Sequence, residues 1–391
     1  MTDKTQRQDL LKPAKKLLEG APDMSISAEE RAKMTLACQD SDYIPKIKNA
    51  GKSMVVNGTT VQVMHNGIYV KKGAYQGEWQ AKVIEGLKGN HEPQEEKVFY
   101  EVLKKISPGG IILELGSWWS YYSMWFLKSI KEAKAICCEP DPDNLGIGKT
   151  NMKLNNFSSP TDVTFYQSAA GFTDGKIISF TTEKKQKKDV PVRTVDSILD
   201  EQKIEKLDVL HMDIQGAELA ALKGAKRSIQ KGKIRFVFVS THHYVISNDP
   251  LVHQKCLDFI INSGGYIISE HTVAESCSGD GLIVASFKPE DKNFKVEQSL
   301  HNTNGPLFRS PEKDVALLWG AHDKLLRYIA QLGAELEGER QKNLGERQKN
   351  MKEKEEQNRK LKWVYSHPIR FTAADLYHRY ILRDRRRGEF K

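Results

Sequence analysis

Cysteine is scarce: five in 391 residues, with no Cys-x-x-Cys pair. Cys137 and Cys138 are adjacent, while Cys38, Cys256 and Cys277 show no paired spacing. This excludes a zinc ribbon and a dithiol redox motif and leaves buried, reduced thiols as the expectation. Long apolar runs are also missing, since no stretch approaches the roughly 18 residues of a membrane span. The opening residues, MTDKTQRQDL, hold no hydrophobic core of a secretion signal. Cytoplasmic residence is the expectation. Excess positive charge is nearly absent from the main body. The net charge is +9, but a surplus of six falls after residue 330. The preceding residues are close to neutral, so no nucleic-acid partner is expected.

An apolar fraction of 39% supplies a packed core, and the length suits roughly two domains, or one large domain with appendages. Residues 1–90 read as an N-terminal extension of helix and β-hairpin. Ser27 is a helix start, and Asn57-Gly58 and Asn66-Gly67 are hairpin turns between strand formers. Residues 79–106 read as one or two helices interrupted near Gly89-Asn90, with Pro93 at a helix start and carboxylates behind it. Residues 91–290 then alternate. Strands are expected at 111–115, 134–138, 162–167, 207–212, 235–240, 265–270 and 281–286. Helices are expected at 120–131, 142–153, 217–229 and 251–263, with a short β excursion over 176–195. Alternation predicts an α/β fold, a Rossmann-like seven-stranded, mostly parallel sheet covered on both faces. The last two strands lack room for a helix between them, which predicts an antiparallel return.

Residues 291–330 read as a helical linker, and 331–391 as charged helices ending in a basic tail. GERQKN recurs from Gly338 and from Gly345, a seven-residue period. Two repeats fit either a solvated helix or an oligomerising coiled coil that would make a homo-oligomer. The end, Leu382 to Arg387, is either a solvated basic terminus or a contact for an anionic surface.

The most informative stretch is IILELGSWWSYYS, residues 111–123. A strand ends in Glu114, turns at Gly116 and enters a helix; 23 residues beyond Gly116 a second strand ends in Glu139. Glycine lets the backbone approach a ligand, and the distal acid can accept hydrogen bonds from ribose hydroxyls. Asp213 closes the fourth strand in Asp-x-x-Gly-x-Glu. Ligands of open α/β sheets bind outside the carboxyl ends of the strands, so Glu114, Gly116, Ser117, Glu139 and Asp213 should face one crevice. Glu-x-Gly-x-x-x-Ser is not the Gly-x-Gly-x-x-Gly of a dinucleotide-binding oxidoreductase.

Together with His91 to Glu96, Glu139-Pro140-Asp141-Pro142, Arg193 to Asp196, Asp213 to Glu218 and Asp280 to Val284, this order of motifs resembles the FkbM family of S-adenosylmethionine-dependent methyltransferases over roughly residues 90–286. The resemblance implies a class I methyltransferase fold and O-methylation of a sugar, glycan or related small metabolite. It places Gly116 along the methionine part of the cofactor, Glu139 on the ribose, Ser168 and Ala169 beside adenine, and Asp213 at the methyl-transfer centre. The chain departs from the family at Gly116-Ser117-Trp118-Trp119-Ser120, where Gly-Ala-Asn-x-Gly is frequent, and at Gln215, where glutamate is frequent. Ser240 to His243 also replace a common glutamate.

The donor is a sulfonium cation. The faces of Trp118, Trp119, Tyr121 or Tyr122 could attract it, or could serve only in packing. Its carboxylate could meet the N–H groups of the helix starting near Ser120. A hydroxyl acceptor needs a base. His242 is the favoured base, with His243 beside it and His253 and His271 behind. Asp213 could orient that histidine, act as base, or join His242 in holding a divalent cation. Glu218 reads as a helix cap, and Gln94 as a cofactor contact. The competing functions are a methyltransferase of the same fold acting on RNA or protein, and a non-catalytic assembly protein using the C-terminal helices.

Overall fold

The computed structural model describes residues 28–182, 186–249 and 251–301, with isolated residues between 329 and 362. The GERQKN repeat and the basic end lie outside the described residues. Ser25–Asn304 form one unit, and the rest of the chain a second.

Helix α1 (Ala28–Ala37) leads to a three-stranded antiparallel sheet, β1 (Ser53–Val56), β2 (Thr59–Val63) and β3 (Tyr69–Lys71), turned at the two Asn-Gly pairs. Two helices follow, α2 (Gly77–Gly86) and α3 (Pro93–Leu103), separated at Gly89-Asn90. The alternating body comprises β4 (Ile111–Leu115), α4 (Tyr121–Ser129), β5 (Lys134–Cys138), α5 (Pro142–Leu154) and β6 (Val163–Tyr166). A three-stranded excursion, β7 (Ala169–Ala170), β8 (Ile177–Thr181) and β9 (Lys187–Arg193), precedes α6 (Val195–Glu201). Then come β10 (Leu207–Met212), α7 (Glu218–Gly224), α8 (Lys226–Gln230), β11 (Ile234–Thr241), α9 (Tyr244–Ser247), α10 (Val252–Asn262), β12 (Tyr266–His271) and β13 (Gly281–Ser286).

The main sheet has the order β12-β13-β11-β10-β4-β5-β6. β4, β5, β6, β10 and β11 are parallel, and β13 runs antiparallel between β11 and β12. Successive strand residues face opposite sides. Ile112, Val209, Phe236 and Phe238 meet Phe99, Trp125 and Phe126 on one face. Leu113, Leu115, Leu210, Met212, Val237 and Val239 meet Ile198, Leu199, Leu222 and Ile260 on the other.

The single helix expected over 217–229 is two. Asp196 accepts from the N–H groups of Arg227 and Ser228, and those donors are free to meet it only where a new helix begins. The N-terminal sheet is tied to the body by two asparagines, Asn151 in α5 and Asn155 at its C-cap. Asn151 accepts from Lys71 N–H and donates to the Trp119 carbonyl, and Asn155 accepts from Tyr69 N–H.

Candidate active site

The order reversal falls between β4 and β10, which sets the turns after both strands beside one crevice. Gly116 holds a left-handed φ of 74°, and a Cβ there would lie 1.8 Å from the Asp213 carbonyl oxygen. The glycine is therefore required by the approach of β10. Ser120 also lies in the left-handed region, at φ 58°, so the loop keeps there a backbone shape that glycine adopts without strain. Across from it, Gly148 of α5 leaves room for the Trp118 carbonyl and the Ser120 side chain.

Glu114 is buried, and its carboxylate accepts from the Ser123 N–H at 3.0 Å. Burial raises its pKa, against the pull of His211 and of the Ser123 and Tyr122 N–H groups. The start of α4 is thus already capped from within the chain. That leaves fewer first-turn N–H groups for the ligand carboxylate expected there. Trp119, Tyr121 and Tyr122 are buried too. Trp119 stacks on Tyr75 at 4.5 Å and on Tyr121 at 5.1 Å, so these rings pack the loop against the helices. Trp118 is half-buried and meets the Tyr75 ring edge-on.

Glu139 sits at the end of β5. One oxygen accepts from Trp118 N–H at 3.0 Å and the other from Asp141 N–H at 2.9 Å. Burial pushes its pKa up to about 7 despite these donors. Each oxygen keeps a lone pair for a further donor. In the loop that Glu139 binds, Ser117 Oγ and Trp118 Nε1 are buried without a hydrogen-bond partner among the described residues, and Ser168 Oγ, two residues past β6, has only the Cys138 thiol as a hydrogen-bonding neighbour. Unpaired buried polar atoms are costly, and these fit a polar ligand. Ala169 begins β7 directly after Ser168.

Asp213 follows β10 with about 30% of its side chain exposed, and meets His242 Nε2 at 3.0 Å. His242, after β11, also meets Glu218 Oε1 through Nδ1 at 2.8 Å, and Asp280 Oδ1 lies 3.8 Å away. Burial would lower the imidazole pKa; Asp280, Asp213 and Glu218 overcome it and hold His242 well above its usual value. Asp213 is lowered in return, burial being outweighed by His242. Both ring nitrogens thus face carboxylates, which favours the charged form over the neutral base expected of His242, while the Gln215 amide also approaches Nε2 at 2.9 Å. Glu218 joins the site as its partner, beyond the cap expected of it. His243 opens α9, its carbonyl accepting from Ile246 and Ser247. His253 bridges Thr241 and Glu270, and His271 Nδ1 lies 3.1 Å from the Thr272 carbonyl.

Gln94 stands apart. Its amide donates to the Glu275 and Ser299 carbonyls and accepts from Cys277 N–H, tying α3 to the segments flanking β13. Among the described residues no group of three or more His, Cys, Asp or Glu is arranged to hold a metal ion. Sequence reasoning missed Arg31, whose guanidinium meets Asp280 at 2.8 Å from 249 residues away. No local pattern signals such a pair. It also passed over Glu92, which lies within the conspicuous His91 to Glu96 run.

A family model of the FkbM methyltransferase domain matches residues 73–268, half of the chain. No curated relative matches. Among solved structures, the chain is similar to precorrin-6y C5,15-methyltransferase from Geobacter metallireducens, with 12% identity over 48% of this chain and 87% of that one and a TM-score of 0.31. TrmK of M. capricolum, in complex with S-adenosyl-homocysteine, gives 15% over 69% and 96%, TM-score 0.31. Fibrillarin of Aeropyrum pernix, with natively bound S-adenosyl-L-methionine, gives 13% over 46% and 67%, TM-score 0.30. Likenesses this distant decide nothing about the reaction. With the family model matching across the crevice that holds Gly116, Glu139 and Asp213, the chain belongs to the FkbM family of S-adenosylmethionine-dependent methyltransferases.

Proposed function

We propose that this enzyme methylates a hydroxyl of a neutral acceptor, a sugar, glycan or related small metabolite. When bound, S-adenosylmethionine supplies a methyl group on a positively charged sulfur. Glu139 would accept from the ribose hydroxyls, Ser168 and Ala169 would flank adenine, and Ser117 with the Gly116 turn would meet the methionine part. The unpartnered Ser117 and Trp118 groups, and Ser168 with only a thiol to bond, support that fit.

The observation that carries the choice of acceptor is the charge of the crevice. Glu92, Asp213 and Asp280 act on one another there, against the cations Arg31 and His242. These charges nearly balance and leave no basic face for a phosphate backbone. A neutral hydroxyl needs no such face. Asp213, partly exposed, would border the acceptor, and His242 would hold that carboxylate in place. Displacement at a methyl carbon requires near-collinear oxygen, carbon and sulfur, so their chief contribution is positioning.

Calorimetry with S-adenosylmethionine and with NAD tests the donor. Binding of the first alone, weakened at least tenfold by Glu139→Ala, is expected. Labelled methyl transfer onto methyl glycosides and oligosaccharides, compared with transfer onto tRNA and protein, tests the acceptor. Label entering tRNA or protein in preference to the sugars would overturn the hydroxyl reading.

A further inference from the structure

Glu92 is a buried carboxylate to which no chemical step has been given above. It is the residue just before α3, and the first turn of that helix is pinned over the sheet. Glu95 reaches His211 Nε2 at 2.6 Å and Ser240 Oγ at 3.0 Å, near the carboxyl ends of β10 and β11. One turn earlier, Glu92 therefore lies beyond those strand ends, on the side of Asp213. Its Oε2 accepts from Tyr122 Oη at 3.2 Å, from the start of α4 beside β4. His91 Nε2 lies 3.4 Å away. Glu92 thus stands beside the start of α4, within electrostatic reach of Asp213 and Asp280, with about 12% of its side chain open. Among the described residues no lysine or arginine lies within ion-pair distance of it, although such a pair would hold it permanently ionised.

Resting on the methyl-transfer reading above, we infer that Glu92 is the general base, the group that takes the proton of the acceptor hydroxyl. His242 is poorly placed to do so, because both of its ring nitrogens already meet carboxylates. Asp213 meets the His242 ring at 3.0 Å, closer than the 3.4 Å between Glu92 and His91, and is held lower where Glu92 is held higher. In the step, the acceptor O–H bond breaks and its proton passes to a Glu92 oxygen. The electron pair left on the acceptor oxygen forms the new O–CH3 bond. The methyl–sulfur bond breaks with its pair going to sulfur, which loses its charge.

The surroundings suit the task. Burial pushes Glu92 up to about 7, lowered by His91 and raised by Glu95, Asp213 and Asp280. Arg31 from α1 and Tyr75 before α2 face it from the other side, and Tyr121 and Tyr122 from α4. A base near neutrality is half ionised at working pH and still accepts a proton well.

The test needs no acceptor. The full chain is labelled with carboxyl-13C glutamate, and the Glu92 resonance is assigned by its loss in both Glu92→Gln and Glu92→Asp. It is titrated with S-adenosylhomocysteine bound, and again with sinefungin, an analogue carrying an amine in place of the methylsulfonium. A base aimed at the transferred methyl senses that charge. The expected result is a midpoint near neutrality with the first ligand and a proton affinity about tenfold lower with the second. Equal midpoints with both ligands bound would overturn the assignment of Glu92 and leave the methyltransferase reading intact. Failure of both ligands to bind would overturn the methyl-transfer reading, and this inference with it.

Discussion

His242 Nδ1 and Glu218 Oε1 lie 2.8 Å apart, and neither side chain is more than about 1% exposed. Nε2 of the same ring faces Asp213, so the imidazole is gripped by carboxylates through both nitrogens. Removing one partner leaves a buried charge uncompensated. Glu218→Gln is expected to cost about 3 kcal/mol in urea denaturation. In NMR titration of the wild type, His242 should remain protonated beyond neutrality, and Glu218→Gln should bring its midpoint down. Because the folded pKa is raised, the stabilisation is fully present below about pH 6.5. It is lost as pH rises through the raised value, so the alkaline fall of Tm should be steeper in wild type than in Glu218→Gln.

Glu139 supplies a second pH signature. Burial sets its midpoint at about 7, so ionisation of the empty site opposes folding as pH rises from the ordinary carboxylate range towards neutrality. A ligand that donates hydrogen bonds to the carboxylate binds better as the group ionises. Calorimetric affinity for S-adenosylhomocysteine should rise about tenfold between pH 6 and 8 in wild type. A similar slope in Glu139→Gln would show that another group is responsible.

Two glycines give a matched pair. Gly116→Ala drives a Cβ into the Asp213 carbonyl and should destabilise by at least about 3 kcal/mol. Gly146, within α5, has nothing within 4 Å of where a Cβ would stand. Gly146→Ala should stabilise by about 0.5–1 kcal/mol through helix propensity. Thermal denaturation of both variants is the check.

Asn151 is buried and joins β3 to the loop carrying Trp119. Asn151→Ala strands Lys71 N–H and the Trp119 carbonyl without partners. A cost of about 2 kcal/mol is expected. Hydrogen exchange at Lys71 should quicken relative to wild type, and an unchanged rate there would deny the link.

The sheet was legible because its signal is local. Apolar runs such as Ile111–Leu115 and Leu207–Met212 are bounded by glycine or acid, and every main-sheet strand lies within about a residue of its expected place. The antiparallel return of β13 followed from connection length alone. The charge state of the site was not legible. His242 reads as a neutral base in isolation, and only the fold brings Asp213, Glu218 and Asp280 around it. Glu114 likewise reads as a ligand contact until its hydrogen bond to Ser123 N–H is seen. The division of 217–229 depended on Asp196, a side chain from the preceding helix.

The tie between Arg31 and Asp280 has a practical reach. Neither residue falls inside the stretch that the family model matches, yet together they set one wall beside His242. Trimming the chain to its recognisable core would remove both. It would also remove β13, which lies between β11 and β12, so the sheet that positions Gly116, Glu139 and Asp213 would lose an inner strand. A fragment meant for activity measurements should therefore keep both Arg31 and Asp280, and with them the wall beside His242.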